Sequence, residues 1–173
     1  MAKLFIQYGL LFVALVLAQV VIFNRVCLFN VALPFLFIYF IIRLPLTLST
    51  NLSMTLGFLL GTTIDIFSDT WGMNALACTI ISALRMPIIR LYVARNEDLP
   101  QAEPSMRSLG VGVYLKYILT VTLIYCFLIF TIEAFSFFNV VQLAMRIMCS
   151  TLLTSILILG ADSLTIVPRE KRL

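Results

Sequence analysis

The sequence predicts an all-α, polytopic membrane protein with six transmembrane helices and both termini on the cytoplasmic side. Three observations predict it. Of 173 residues, 62% are hydrophobic and 12% charged, with a mean hydropathy of +1.09; soluble domains run at about 45–50% apolar and about 25% charged. Six apolar stretches approach the roughly 20 residues that a helix needs to cross about 30 Å of hydrocarbon. Finally, lysine and arginine gather in alternate connections. A single integral membrane domain over residues 1–173 is expected, with little chain left outside the bilayer.

The first stretch, Leu4–Phe23, is too long for a signal-peptide core and lacks a small-x-small site before Asn24, so it is expected to be retained. Val31–Leu48 follows. Pro34 falls in its first turn, where a missing N–H is harmless, and Pro45 is expected to end or bend it. Only Ser49, Thr50 and Asn51 separate it from Leu52–Phe67. Ser68-Asp69-Thr70 then breaks the chain before Met73–Val93, where Ser68 and Thr70 point to Asp69 as a turn or N-capping residue. Pro87 should kink this helix, freeing a carbonyl for Ser82 or Arg85 to satisfy. The polar connection Ala94–Ser108, with Pro100 and Pro104, leads to Leu109–Phe135, and Val140–Val167 completes the set.

With the amino terminus inside, Lys3, Arg43, Arg90, Arg95, Arg107, Arg169, Lys171 and Arg172 fall on the cytoplasmic side and only Arg25 on the other. That asymmetry sets orientation and requires an even number of spans. The formal charge of +4 therefore reads as contact with anionic headgroups, not with nucleic acid. Trp71 and Tyr92 suit interfacial anchors at opposite surfaces. The cysteines Cys27, Cys78, Cys126 and Cys149 include no close pair, and histidine is absent. No disulfide framework, metal site or cofactor is expected.

Charged groups at membrane depth carry the most information, because even lenient insertion scales charge about 2.5–3.5 kcal/mol for one at a helix centre. Asp65 lies within a turn of the outer end of the third helix. Arg146 lies roughly 9–10 Å below the same surface at 1.5 Å per residue, so the two can meet as an intramembrane pair. Arg146 is equally placed to answer Glu133. Near the inner side, Lys116 and Asp162 are at matching depth, while Arg85 and Lys116 are long enough to snorkel. Asp65 itself reads as a structural pair or helix-end cap, or as a direct functional group. Gly57 and Gly61 have the small-xxx-small spacing of close helix contact, favouring packing inside the monomer over dimerisation.

Catalysis is not expected. No nucleophile is paired with a base, no His-Glu-x-x-His or Gly-x-Ser-x-Gly is present, and Gly110-x-Gly112 lacks a phosphate-loop context.

Leu33-Pro34, Arg43-Leu-Pro45, Gly57-x-x-x-Gly61-x-x-x-Asp65 and Gly72-x-Asn74-Ala75 together resemble the rod shape-determining protein MreD family, in architecture over nearly the whole chain and in motif over residues 33–78. In that family a histidine often stands where this chain has Asn74, so a hydrogen-bonding rather than a titrating role is expected there. The resemblance implies a non-enzymatic scaffold of the bacterial cell-elongation machinery in the inner membrane. Its partners would be an MreC-like bitopic protein and, more indirectly, MreB and RodA with its transpeptidase. The family fold is also similar to the substrate-binding S components of vitamin transporters, so a small-molecule-binding membrane subunit is the alternative. In either case Gly57, Gly61, Asp65, Gly72, Asn74 and Ala75 form the candidate partner or packing motif, shaping a cavity or groove towards the outer half.

Overall fold

The computed structural model describes residues 2–22, 33–93, 104–134 and 140–165. Within them every regular element is helical: α1 (Ala2–Val21), α2 (Ile38–Arg43), α3 (Thr50–Ser68), α4 (Met73–Tyr92), α5 (Met106–Leu109), α6 (Val111–Glu133) and α7 (Val140–Thr165). Met73–Tyr92, Val111–Glu133 and Val140–Ser163 are each long and apolar enough to cross a membrane, and Ile6–Val21 is a shorter apolar helix. Arg25, Cys27, Arg95, Arg169, Lys171 and Arg172, with most of the connection before α5, lie outside the described residues.

Local chemistry explains most boundaries. Ser49 starts α3, its side chain accepting from the Leu52 N–H at 3.4 Å; this places the start earlier than hydropathy alone suggests, because a capping serine outranks the first apolar residue. Gly110 separates the short α5 from α6, so the helix expected from Leu109 begins at Val111. The glycine's φ of +78° lies in a region that a residue without Cβ tolerates.

The second expected span is the main departure. Among its described residues only Ile38–Arg43 is helical, about 9 Å of rise, and Pro34 precedes that helix instead of lying in its first turn. The helix stops before Pro45, with Leu44 extended as the residue before a proline favours. This broken element is nevertheless buried. Phe37, Ile38, Tyr39, Phe40, Ile41, Ile42 and Leu44 are each at most 2% exposed.

Irregular backbone is tolerated in an apolar surround only when protein groups satisfy it. Here distant side chains do so. Leu33 N–H donates to Ser150 Oγ at 3.0 Å and Phe35 N–H to Thr154 Oγ1 at 3.2 Å. Gln19 accepts from Leu36 N–H and donates to the Pro34 carbonyl, both at 3.0 Å. At the other end the fully buried Arg85 donates to the carbonyls of Ile41 (3.4 Å), Leu44 (2.6 Å) and Pro45 (2.8 Å). Arg85 thus terminates α2 instead of snorkelling, and neither it nor Ser82 reaches the carbonyl freed by Pro87. Replacing Arg85 by lysine keeps the charge but loses the planar fork that spans these carbonyls. Arg85→Lys is expected to cost about 2 kcal/mol, read as a lower unfolding midpoint in detergent with helix content retained at low temperature.

The contacts align the elements. Leu33 meets Ser150, Phe35 meets Thr154, and Tyr39 and Arg43 meet Asp162, so the broken element runs beside α7 in the same direction. One cavity brings together Gln19 of α1, Leu33, Ser68 of α3, Asn74 of α4 and Glu133 of α6. The ends of α1, α3 and α6 and the starts of the broken element and α4 therefore share one face of the bundle. Apolar chains gain little from leaving lipid for protein, so close packing and polar contacts hold such a bundle together. Edge-on aromatic pairs supply part of this: Phe35 with Phe37, Tyr125 and Phe130, and Phe12 with Phe40, at centroid separations of 5.1–6.3 Å. Each is worth about 0.5–1.5 kcal/mol.

Candidate functional site

The glycine–aspartate run folds into one closed unit at that shared face. Asp69 ends α3 in the left-handed conformation, φ 54°, which aspartate adopts more readily than most residues. Asp69 is therefore the C-cap of α3 and not an N-cap of α4. Its N–H and that of Thr70 both donate to the Asp65 carbonyl, the latter at 3.1 Å. Gly72, at φ +76°, then turns the chain into α4. The turn brings the open end of α4 onto the Asp65 side chain.

Gly72 occupies the N-cap position of α4 and has no side chain to offer. Asp65 supplies the missing acceptor. Its Oδ1 accepts from Asn74 N–H at 3.1 Å and its Oδ2 from Ala75 N–H at 2.8 Å. Two side-chain donors complete the shell: Thr70 Oγ1 at 2.6 Å and Asn74 Nδ2 at 2.9 Å, both to Oδ1. Asn74 Nδ2 also donates to Thr70 Oγ1 at 3.0 Å, and the Tyr125 hydroxyl donates to Asn74 Oδ1. The dipole of α3 disfavours an anion in its last turn, whereas that of α4 favours one at its first. The direct N–H bonds to α4 decide the balance, and Asp65, 6% exposed, needs no cation.

The expected Asp65–Arg146 pair is not formed. Arg146 lies 3.9 Å from Glu133 and over the Phe130 ring, 5.3 Å from its centroid. Depth places Asp65 and Arg146 near the same face, but the backbone donors of α4 are closer to Asp65. The expected Lys116–Asp162 pair is also replaced. Lys116 is exposed, and buried Asp162 accepts from the Tyr39 hydroxyl at 3.2 Å and lies 4.0 Å from Arg43.

Gly57 and Gly61 work on the same unit. A Cβ at Gly61 would fall 2.4 Å from Ala75 Cα and 2.5 Å from the Asn74 carbonyl oxygen; one at Gly57 would fall 2.2 Å from Ser82 Oγ and 2.8 Å from the Cys78 carbonyl oxygen. These positions bring α3 against α4 inside the monomer. Gly57, Gly61, Asp65, Gly72, Asn74 and Ala75 thus belong to one helix pair, while Pro34 and Pro45 flank the broken element and Arg146 lies apart from Asp65.

Two concavities border the unit. A groove of about 570 Å³ runs along the α3–α4 seam, with Phe58, Ile66, Leu76 and Thr79 on its walls and Asp65 and Ala75 at its floor. Trp71, 96% exposed, stands at the turn above. A second cavity, about 310 Å³, lies between α1, the broken element, α3, α4 and α6 and carries polar groups from Gln19, Thr70, Asn74 and Glu133. No group of three or more metal-ligating side chains occurs among the described residues.

Sequence reasoning missed Arg85 as a clamp, Gln19, Ser150 and Thr154 as partners of the irregular backbone, and Tyr125 as the donor to Asn74. The signal for Asp65 was present: a helix opening on Gly72 lacks a capping side chain, and the nearest carboxylates are Asp65 and Asp69.

No protein-family model matches the chain, and no curated protein or solved structure matches it.

Proposed function

We propose that the chain is an MreD-like, non-enzymatic scaffold of the bacterial cell-elongation machinery. It would sit in the inner membrane with six crossings and both termini cytoplasmic, the broken element and its flanks making the second. The observation that carries this reading is the use to which the motif residues are put. Gly57, Gly61, Asp65, Asn74 and Ala75 fix the geometry of one helix pair, and every acceptor or donor around Asp65 is engaged within the chain. A site so saturated suits recognition by shape and not chemistry on a substrate. The apolar α3–α4 groove beside it is the surface offered to an MreC-like bitopic partner, with MreB and RodA and its transpeptidase engaged through that partner.

The test is co-purification in mild detergent with the MreC-like protein of the same genome. The scaffold reading expects a stable complex, lost when Leu76 and Ile66 on the groove are replaced by tryptophan and retained when lipid-facing Leu10 is so replaced. A folded chain that captures no such partner contradicts it. The 310 Å³ cavity favours a second reading, a small-molecule-binding subunit of a transporter, since it is near the lower end of the size range of ligand sites. Recovery of a stoichiometric small molecule with the purified protein would support that alternative.

A further inference from the structure

The cavity of about 310 Å³ at the shared face is built with one electrostatic sign. Three helices end on it: Gln19, Ser68 and Glu133, all on its wall, lie in the last turns of α1, α3 and α6. A helix C-terminus carries roughly half a negative charge and favours a cation within its last turn. The Glu133 carboxylate adds a full charge of the same sign. A second carboxylate stands just behind the wall, since Thr70 and Asn74, which border the cavity, both donate to Asp65.

Positive groups are fewer. The start of α4 is one, and Asp65 already accepts from its Asn74 and Ala75 N–H groups. Arg146 is another. It stands 3.9 Å from Glu133, longer than a hydrogen bond, with its guanidinium over the Phe130 ring. Among the described residues no lysine or arginine lines the cavity. The balance is negative.

The remaining wall defines the kind of cation. Phe35, Ile64 and Ile129 are apolar, so a ligand needs an apolar body beside its charge. The Phe35 and Phe37 rings are also of the type that attracts ammonium groups. A metal ion fits poorly, because hard cations take several oxygen ligands and no group of three metal-ligating side chains occurs among the described residues. Glu133, its side chain 45% exposed, is the most open wall residue, whereas Gln19, Phe37 and Asn74 are buried. The cavity therefore runs inward from the carboxylate.

We propose that this cavity binds an organic ammonium, with the charged amine on Glu133 and a short apolar body against Phe35, Ile64 and Ile129. Two sources carry that chemistry, a free small amine and the ethanolamine headgroup of a membrane lipid. The volume takes either one, but not a whole lipid. The cavity shares only Thr70 with the α3–α4 groove, so the assignment does not rest on the partner proposed there.

The test uses the full chain in detergent with propylammonium chloride, read by unfolding midpoint and titration calorimetry. Saturating propylammonium should raise the midpoint by about 3 °C or more. Sodium chloride and sodium propionate at equal ionic strength should not, nor should propanol, the neutral isostere. Glu133→Gln should weaken binding by about tenfold or more, and Glu133→Lys should abolish it. Leu76→Trp, in the groove, should leave it unchanged. Three results overturn the proposal: no shift with propylammonium, an equal shift with propanol or propionate, or unchanged affinity in Glu133→Gln. Loss of binding in Leu76→Trp would put the amine in the groove and overturn it as well. The comparison of the four solutes needs only the wild type, so it decides even where a variant fails to fold. Nanodiscs holding equal amounts of ethanolamine-headed and glycerol-headed phospholipid then separate the sources. Preferential retention of the ethanolamine lipid, lost in Glu133→Gln, assigns the headgroup; equal retention with propylammonium binding intact assigns a free amine.

Discussion

Asp65→Ala is expected to lower stability by about 3–5 kcal/mol, close to 10 °C or more in the unfolding midpoint of a chain this size. The substitution removes one side chain but strands four donors: the N–H groups of Asn74 and Ala75, Thr70 Oγ1 and Asn74 Nδ2. A lost helix cap alone costs about 0.5–2 kcal/mol, and buried donors left unpaired add about 1–3 kcal/mol each, with overlap among neighbours. Asp65→Asn retains one acceptor oxygen and should show roughly half the loss. Thermal unfolding followed by circular dichroism in a fixed detergent measures both. Equal, small effects would mean that the carboxylate does not hold the start of α4.

Gly61→Ala should be nearly as damaging, at about 3 kcal/mol. The added methyl meets Ala75 Cα, Ala75 N and the Asn74 carbonyl oxygen at 2.4–2.5 Å. These are backbone atoms, so no rotamer change relieves the clash and α3 must move away from α4. Overpacking of a fitted interior costs about 1–3 kcal/mol, and the displacement also pulls Asp65 away from the N–H groups it caps. Gly160→Ala is the control. Nothing lies within 4 Å of a Cβ there, and alanine in a helix interior gains up to about 1 kcal/mol over glycine. Unfolding midpoints of the two variants should therefore move in opposite directions.

Particular residues show what the sequence made legible. The α3, α4 and α7 stretches were placed within a few residues, because Ser49, the Ser68–Gly72 break and the run from Val140 are local signals. The broken second element was not legible. Its hydropathy is that of a helix, and its departure from one depends on Gln19, Arg85, Ser150 and Thr154, which lie far away in the chain. Asp65 illustrates both sides. It lies in the last turn of α3 and acts as a cap, one of the roles its position allowed, but reasoning by charge offered Arg146 as its counterpart. A buried carboxylate is satisfied as well by four hydrogen-bond donors as by one cation, and the Asp69–Gly72 turn delivers those donors.

The central claim is that Asp65 acts as the cap that joins α3 to α4 and so shapes the groove beside them. A double-mutant cycle of Asp65→Asn with Arg146→Gln, read as unfolding free energy in detergent, tests it most directly. The capping account predicts additive losses to within about 0.5 kcal/mol, as for sites that share no partner. A coupling above about 1 kcal/mol would show that the two charges hold each other, and would contradict it.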